Sequence, residues 1–133
     1  MSEKPGTLVL LVEDNEVNAE LARALLARGG FEVLHAATAA AAYSMARDAQ
    51  PDLILMDLQL PDGEGLSVVS RLRADPDIEQ PVIIALTAYA MAGDEAKTRE
   101  AGCDGYITKP FDTRSFTARM RSIMADRSSQ KQI

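Results

Sequence analysis

Five short apolar runs recur along the chain at intervals of about 20 to 30 residues: 8–12, 31–36, 53–56, 82–86 and 106–107. The first, third and fourth read LVLLV, LILM and VIIAL, apolar without alternation. A strand with one face in water alternates polar and apolar side chains, whereas a strand covered on both faces does not need to. Runs of this kind therefore predict a parallel sheet buried between helical layers.

The intervening segments read as helices. Val17, Leu21 and Leu25 follow the i, i+4, i+8 rule, and Gly29-Gly30 supplies a stop. Thr38 is placed to cap a second helix whose face is Ala42, Met45, Ala46 and Ala49, ended by Pro51. Leu66, Val69 and Leu72 form a third stripe up to Asp75-Pro76, and Phe116, Met120, Ile123 and Met124 form the strongest one, near the C-terminus. The segment between Met91 and Ala101 carries few large apolar side chains and is expected to dock weakly. The pattern is (βα)5. Right-handed crossovers place helices on both faces, which makes an α/β, doubly wound, three-layer domain. Five units are too few for a barrel of eight and suit a flavodoxin-like five-stranded parallel sheet, for which the strand order is 2-1-3-4-5. With 133 residues there is room for one domain, expected over 1–126, with a polar tail at 127–133.

Composition excludes several function classes. Fourteen basic residues against 20 acidic ones give a net charge of −6, and no Lys/Arg run is present, so direct nucleic-acid binding is not expected. The single cysteine, Cys103, makes no internal disulfide, and it reads as a packing residue. The N-terminal apolar stretch is too short for a signal sequence or membrane span, so a cytoplasmic protein without membrane insertion is the expectation. One histidine and one cysteine rule out a His/Cys zinc cluster, and no G-x-S-x-G, P-loop or G-x-G-x-x-G motif occurs. The lone histidine, His35, is read as an edge-strand or surface residue with no assigned role.

In a doubly wound sheet ligands bind beyond the carboxyl ends of the strands. The residues there are Glu13-Asp14-Asn15 after the first strand, Asp57 after the third, Thr87 after the fourth and Thr108-Lys109-Pro110 after the fifth. With strands 1 and 3 adjacent, Glu13, Asp14 and Asp57 converge. Three neighbouring carboxylates repel one another unless a cation joins them, and an all-oxygen site with few protein ligands suits Mg²⁺. Thr87 supplies a hydroxyl and Lys109 a flexible positive charge, both suited to phosphoryl oxygens. Such a site is equipped to transfer a phosphoryl group onto an Asp oxygen, with Asp57 as nucleophile. Taken alone, Asp14 or Asn15 could simply cap the first helix, but with Asp57, Thr87 and Lys109 at matching strand ends the metal reading is preferred.

EDN at 13–15, LILMDLQLPDGEG at 53–65, LTA at 86–88 and YITKPF at 106–111 together resemble the receiver domain of two-component response regulators. The stretch from Ala90 to Phe111 resembles stand-alone, DivK-like regulators. The resemblance implies that Asp57 accepts phosphate from a histidine kinase or histidine phosphotransferase. It implies that Asp14, Asp57 and the backbone carbonyl of Gln59 bind Mg²⁺, with Glu13 acting through water. Thr87, Ala88 and Lys109 would meet the phosphoryl group, and Thr87 and Tyr106 would act as the switch pair. The Lys109-Pro110 bond would be cis. A phosphoacceptor of this kind promotes its own phosphorylation and dephosphorylation and is not otherwise an enzyme. Downstream protein partners would read a face built of helix 4, strand 5 and helix 5, with the chain a monomer or a weak, phosphorylation-dependent dimer.

Three features depart from the family's commonest pattern. Glu13 stands where Asp is more frequent, Gln59 and Tyr89 occupy the two variable positions flanking the pocket, and Gly63 replaces a larger apolar residue, which predicts a looser loop after strand 3. Two alternatives remain: a receiver-fold scaffold that is not phosphorylated, against which stands the intact set of pocket residues, and a receiver excised from a hybrid kinase. A haloacid-dehalogenase-like phosphatase needs a second acid two residues after its nucleophile, where this chain has Gln59.

Overall fold

The computed structural model describes residues 7–88, 92–109 and 111–131. Tyr89, Met91 and the Lys109-Pro110 peptide bond, each singled out from the sequence, lie outside these residues. Five strands, β1 (Leu8–Val12), β2 (Glu32–Ala36), β3 (Leu53–Asp57), β4 (Val82–Thr87) and β5 (Gly105–Thr108), alternate with five helices. The helices are α1 (Glu16–Arg28), α2 (Ala39–Ala49), α3 (Gly65–Ala74), α4 (Ala92–Ala101) and α5 (Phe116–Lys131). The strands pair in parallel in the order β2-β1-β3-β4-β5, as the flavodoxin-like reading expects. No helix among the described residues is long and apolar enough to cross a membrane.

Successive side chains on a strand point to opposite faces, and this alternation splits the core in two. Val9, Leu11, Leu53, Leu55, Ile84 and Leu86 pack against α1 and α5. Leu10, Val12, Ile54, Met56, Ile83 and Ala85 pack against α2 and α3. The continuous apolar runs are thus explained, since both faces of β1, β3 and β4 lie under helices. Phe116, Met120, Ile123 and Met124 are all buried, as the α5 stripe predicted. The helix continues past residue 126 to Lys131, and Arg127 on it pairs with Asp104 at 2.7 Å.

The α1 stripe differs from the expectation. Val17 is 75% exposed, Leu21 is half-buried, and the buried face is Ala19, Ala22, Leu25 and Leu26. Each i+4 step drifts about 40° around a helix, so Val17 sits about 80° from Leu25. The caps follow the sequence more closely: Thr38 Oγ1 accepts the Ala41 N–H, and Asn15 Oδ1 accepts the Asn18 N–H. Asn15, not Asp14, therefore caps α1.

The loop after β3 is not loose. Gln59–Leu60 and Gly63–Glu64 form a two-stranded antiparallel hairpin. Its tip residue Asp62 accepts the Ala39 and Ala40 N–H groups at 2.7 and 3.2 Å, capping α2 from a distance. These bonds tie the hairpin to the start of α2.

Candidate functional site

Strand register brings the reactive residues together. Val12 pairs with Met56 and Asp57 with Leu86, so Glu13 and Asp14, leaving β1, come level with Asp57 on the central strand. Thr87 pairs with Thr108, which places Lys109 one residue beyond the same edge. Glu13, Asp14, Asp57, Gln59, Thr87, Ala88 and Lys109 all line one open cleft of about 420 Å³. Tyr106 lies apart from it, half-buried on β5, with the Arg119 guanidinium 6.0 Å from its ring centre.

Asp57 is 4% exposed. One carboxylate oxygen accepts the Gln59 N–H at 3.0 Å, and the other accepts from the Lys109 ammonium at 3.1 Å. Glu13 is completely buried. Its Oε2 accepts the Asn15 N–H at 3.3 Å. Its Oε1 meets Lys109 Nζ at 2.7 Å as an ion pair but takes no well-aligned hydrogen bond. Burial, chiefly, and the adjacent Asp57 push the Glu13 carboxyl up to about 7, against the opposing pull of Lys109. For Lys109 burial acts downward, but Glu13 and Asp57 outweigh it and hold the ammonium above its usual value.

One carboxylate oxygen from each of Glu13, Asp14 and Asp57 lies within 4.8 Å of the others. Two of these three groups are buried, and a buried carboxylate needs compensating charge. Among the described residues a single lysine faces the three acids, which leaves an excess of negative charge, and Glu13 Oε1 has a lone pair to spare. The donor set, all oxygen and open to water on the Asp14 side, fits a hard divalent cation such as Mg²⁺.

The main chain approaches closely here. A Cβ added to Gly65 would fall 2.2 Å from the Asp57 carbonyl oxygen, so only glycine lets α3 begin against the end of β3. Two further contacts were not anticipated from sequence. His35 Nε2 lies 2.7 Å from the Glu13 carbonyl oxygen. Asp62 ties the hairpin next to Asp57 to α2. The adjacency of β2 and β1 could have pointed to His35, but a cap contributed from 23 residues away leaves no local sequence signal.

A family model, the response regulator receiver domain, matches residues 9–121. The chain is 42% identical over 118 residues to the polar-differentiation response regulator DivK of Brucella ovis, covering 89% of this chain and 96% of that protein. Among solved structures, the receiver domain of a Pseudomonas aeruginosa sensor histidine kinase, with a magnesium ion coordinated in its active-site cleft, is similar with a TM-score of 0.81. It is 35% identical over 90% of this chain and 98% of that one. A chemotaxis response regulator of Vibrio cholerae shares the fold, with a TM-score of 0.84 at 24% identity over 89% and 98% of the two chains. A parallel sheet of this order with an acidic cleft at its carboxyl edge, found in a chain so matched, leaves one assignment: the chain belongs to the response regulator receiver domain family of two-component signal transduction.

Proposed function

We propose that this receiver accepts a phosphoryl group on Asp57 from a phosphohistidine of a histidine kinase or histidine phosphotransferase. What supports this reading above all is the placement of Asp57: a nearly buried carboxylate, rigid at the end of the central strand, with a cation on one oxygen and two more carboxylates beside it. An Asp57 oxygen attacks phosphorus, the P–N bond breaks, and the electron pair leaves with the imidazole. Lys109 stays paired to the acidic cluster and neutralises charge on the transferred group, while the Thr87 hydroxyl and the space beside Ala88 receive its oxygens. Mg²⁺, when bound, would neutralise the phosphoryl oxygens. Asp14, Asp57 and the Gln59 carbonyl would hold it, and Glu13 would act through water.

In the same reading Thr87 and Tyr106 form the switch, and α4, β5 and α5 make the face that a downstream protein reads. A groove of about 610 Å³ along that face, lined by Tyr106, Asp112, Phe116 and Arg119 among others, gives such a partner something to enter. Residues 1–126 make up the receiver and residues 127–133 a polar extension, whose first part continues α5. The experiment is a titration with beryllofluoride, a phosphoryl mimic, in the presence of Mg²⁺, followed by amide NMR. Large shifts at Thr87, Tyr106 and Lys109, absent in Asp57→Asn, are the expected result. Shifts confined to residues 13–15 and 57–59 would defeat the switch assignment, and none at all would defeat the phosphoryl site.

A further inference from the structure

The β1–β2 ladder closes where the Glu13 N–H donates to the Ala36 carbonyl at 3.0 Å. β2 ends there, and the next acceptor on the β1 side, the Glu13 carbonyl, is met by a side chain: His35 Nε2 at 2.7 Å. A carbonyl oxygen only accepts, so Nε2 carries the proton and the imidazole stands in for the ladder's missing N–H.

The peptide unit held in this way joins Glu13 to Asp14. The Asp14 carboxylate is exposed and has no hydrogen bond or ion pair of its own among the described residues. Its direction is therefore set by the backbone. On one side stands Asn15, fixed by its Asn18 cap and by the Glu13 carboxylate. On the other stands the Glu13–Asp14 peptide, fixed by His35. A rotation of that peptide would swing Asp14 away from Asp57, and no other hydrogen bond or ion pair among the described residues holds its carboxylate.

We propose that His35 is a positioning residue for the cation site: it clamps the Glu13 carbonyl and so aims the Asp14 carboxylate at the metal. The proposal rests on the reading of Asp14 as a Mg²⁺ ligand. It concerns affinity for the ion and not the chemistry on Asp57, because the imidazole meets the Glu13 carbonyl and none of the three clustered carboxylates.

The test is calorimetric titration of Mg²⁺ into wild type, His35→Phe and His35→Gln, with thermal unfolding of each measured in chelator. Phenylalanine keeps the ring without the donor, and glutamine keeps an N–H near the Nε2 position. The expected result is Mg²⁺ binding weaker by about three- to tenfold in His35→Phe, the worth of one hydrogen bond. In His35→Gln affinity returns to within about twofold of wild type, while the two variants unfold at similar temperatures. Wild-type affinity in His35→Phe would overturn the proposal, as would equal weakening in both variants, which would assign the effect to ring packing. Should His35→Phe not fold, the imidazole ¹⁵N spectrum of the wild type decides: a neutral ring protonated on Nδ1 overturns the contact, and protonation on Nε2 upholds it. A wild type that takes no Mg²⁺ removes the underlying site reading and the proposal with it, an outcome distinct from a selective failure at His35.

Discussion

Glu13 is a cleft carboxyl that the fold charges only at a cost, and replacing it with glutamine removes that cost. Buried beside Asp57, the group titrates at about 7 where an unfolded glutamate would titrate at 4.5. An acid with a raised value holds its proton more tightly in the folded chain. Its contribution to stability is whole below about 4.5 and is lost as the pH climbs through 7. At about 1.4 kcal/mol per pH unit, ionising Glu13 in the metal-free protein costs about 3 kcal/mol, most of it falling between about pH 5 and pH 8. The assay is urea unfolding of wild type and Glu13→Gln in chelator across that window, followed by far-UV circular dichroism. The variant is ahead by less than about 1 kcal/mol near pH 5 and by about 3 kcal/mol at pH 8. Added Mg²⁺ narrows the gap at pH 8, because the cation takes the place of the proton among the carboxylates. A difference between the two proteins that stays constant from pH 5 to pH 8 would refute the reasoning.

Three further substitutions probe the surrounding frame. Asp104 Oδ2 accepts from Arg73 at 2.9 Å, from Arg127 at 2.7 Å and from the Ile83 N–H at 2.9 Å; Asp104→Ala leaves two guanidinium groups facing each other and should cost about 3 kcal/mol in chemical denaturation, and a loss under 0.5 kcal/mol would show the network to be inert. Gly65→Ala forces a methyl group against the Asp57 carbonyl and should cost about 1–3 kcal/mol while slowing phosphorylation by small donors; wild-type stability would mean that α3 shifts freely. Asp62→Ala removes two caps from α2, so amide exchange at Ala39 and Ala40 should quicken while that of the β3 amides holds; unchanged exchange at both would show that the hairpin does not anchor the helix.

The sheet was legible because its inner strands are apolar on both faces, a pattern that survives without any knowledge of neighbours. The cleft was legible for a related reason: strand order and strand ends suffice to bring Glu13, Asp14, Asp57, Thr87 and Lys109 to one edge. What escaped the sequence depends on rotation and long-range pairing. Val17 follows i+4 spacing yet points to water, since the stripe drifts and small Ala19 and Ala22 set the buried face. Gly63 suggested a slack loop, whereas Asp62 binds it to a helix that begins 23 residues earlier. His35 looked idle because its partner is a main-chain oxygen on the neighbouring strand, reached only once β2 is set beside β1. Arg73, Asp104 and Arg127 form an ion cluster that is visible only after α3 and α5 are packed on the sheet.

The phosphoacceptor assignment is tested most directly by intact mass after incubation with a small phosphodonor, with Mg²⁺ or with chelator, followed by borohydride reduction and peptide mapping. Borohydride converts an aspartyl phosphate to homoserine and so marks the acceptor. The account predicts a metal-dependent gain of one phosphoryl group, homoserine at position 57, and neither in Asp57→Asn. A phosphoryl group on another residue, or one gained equally in Asp57→Asn, would contradict it.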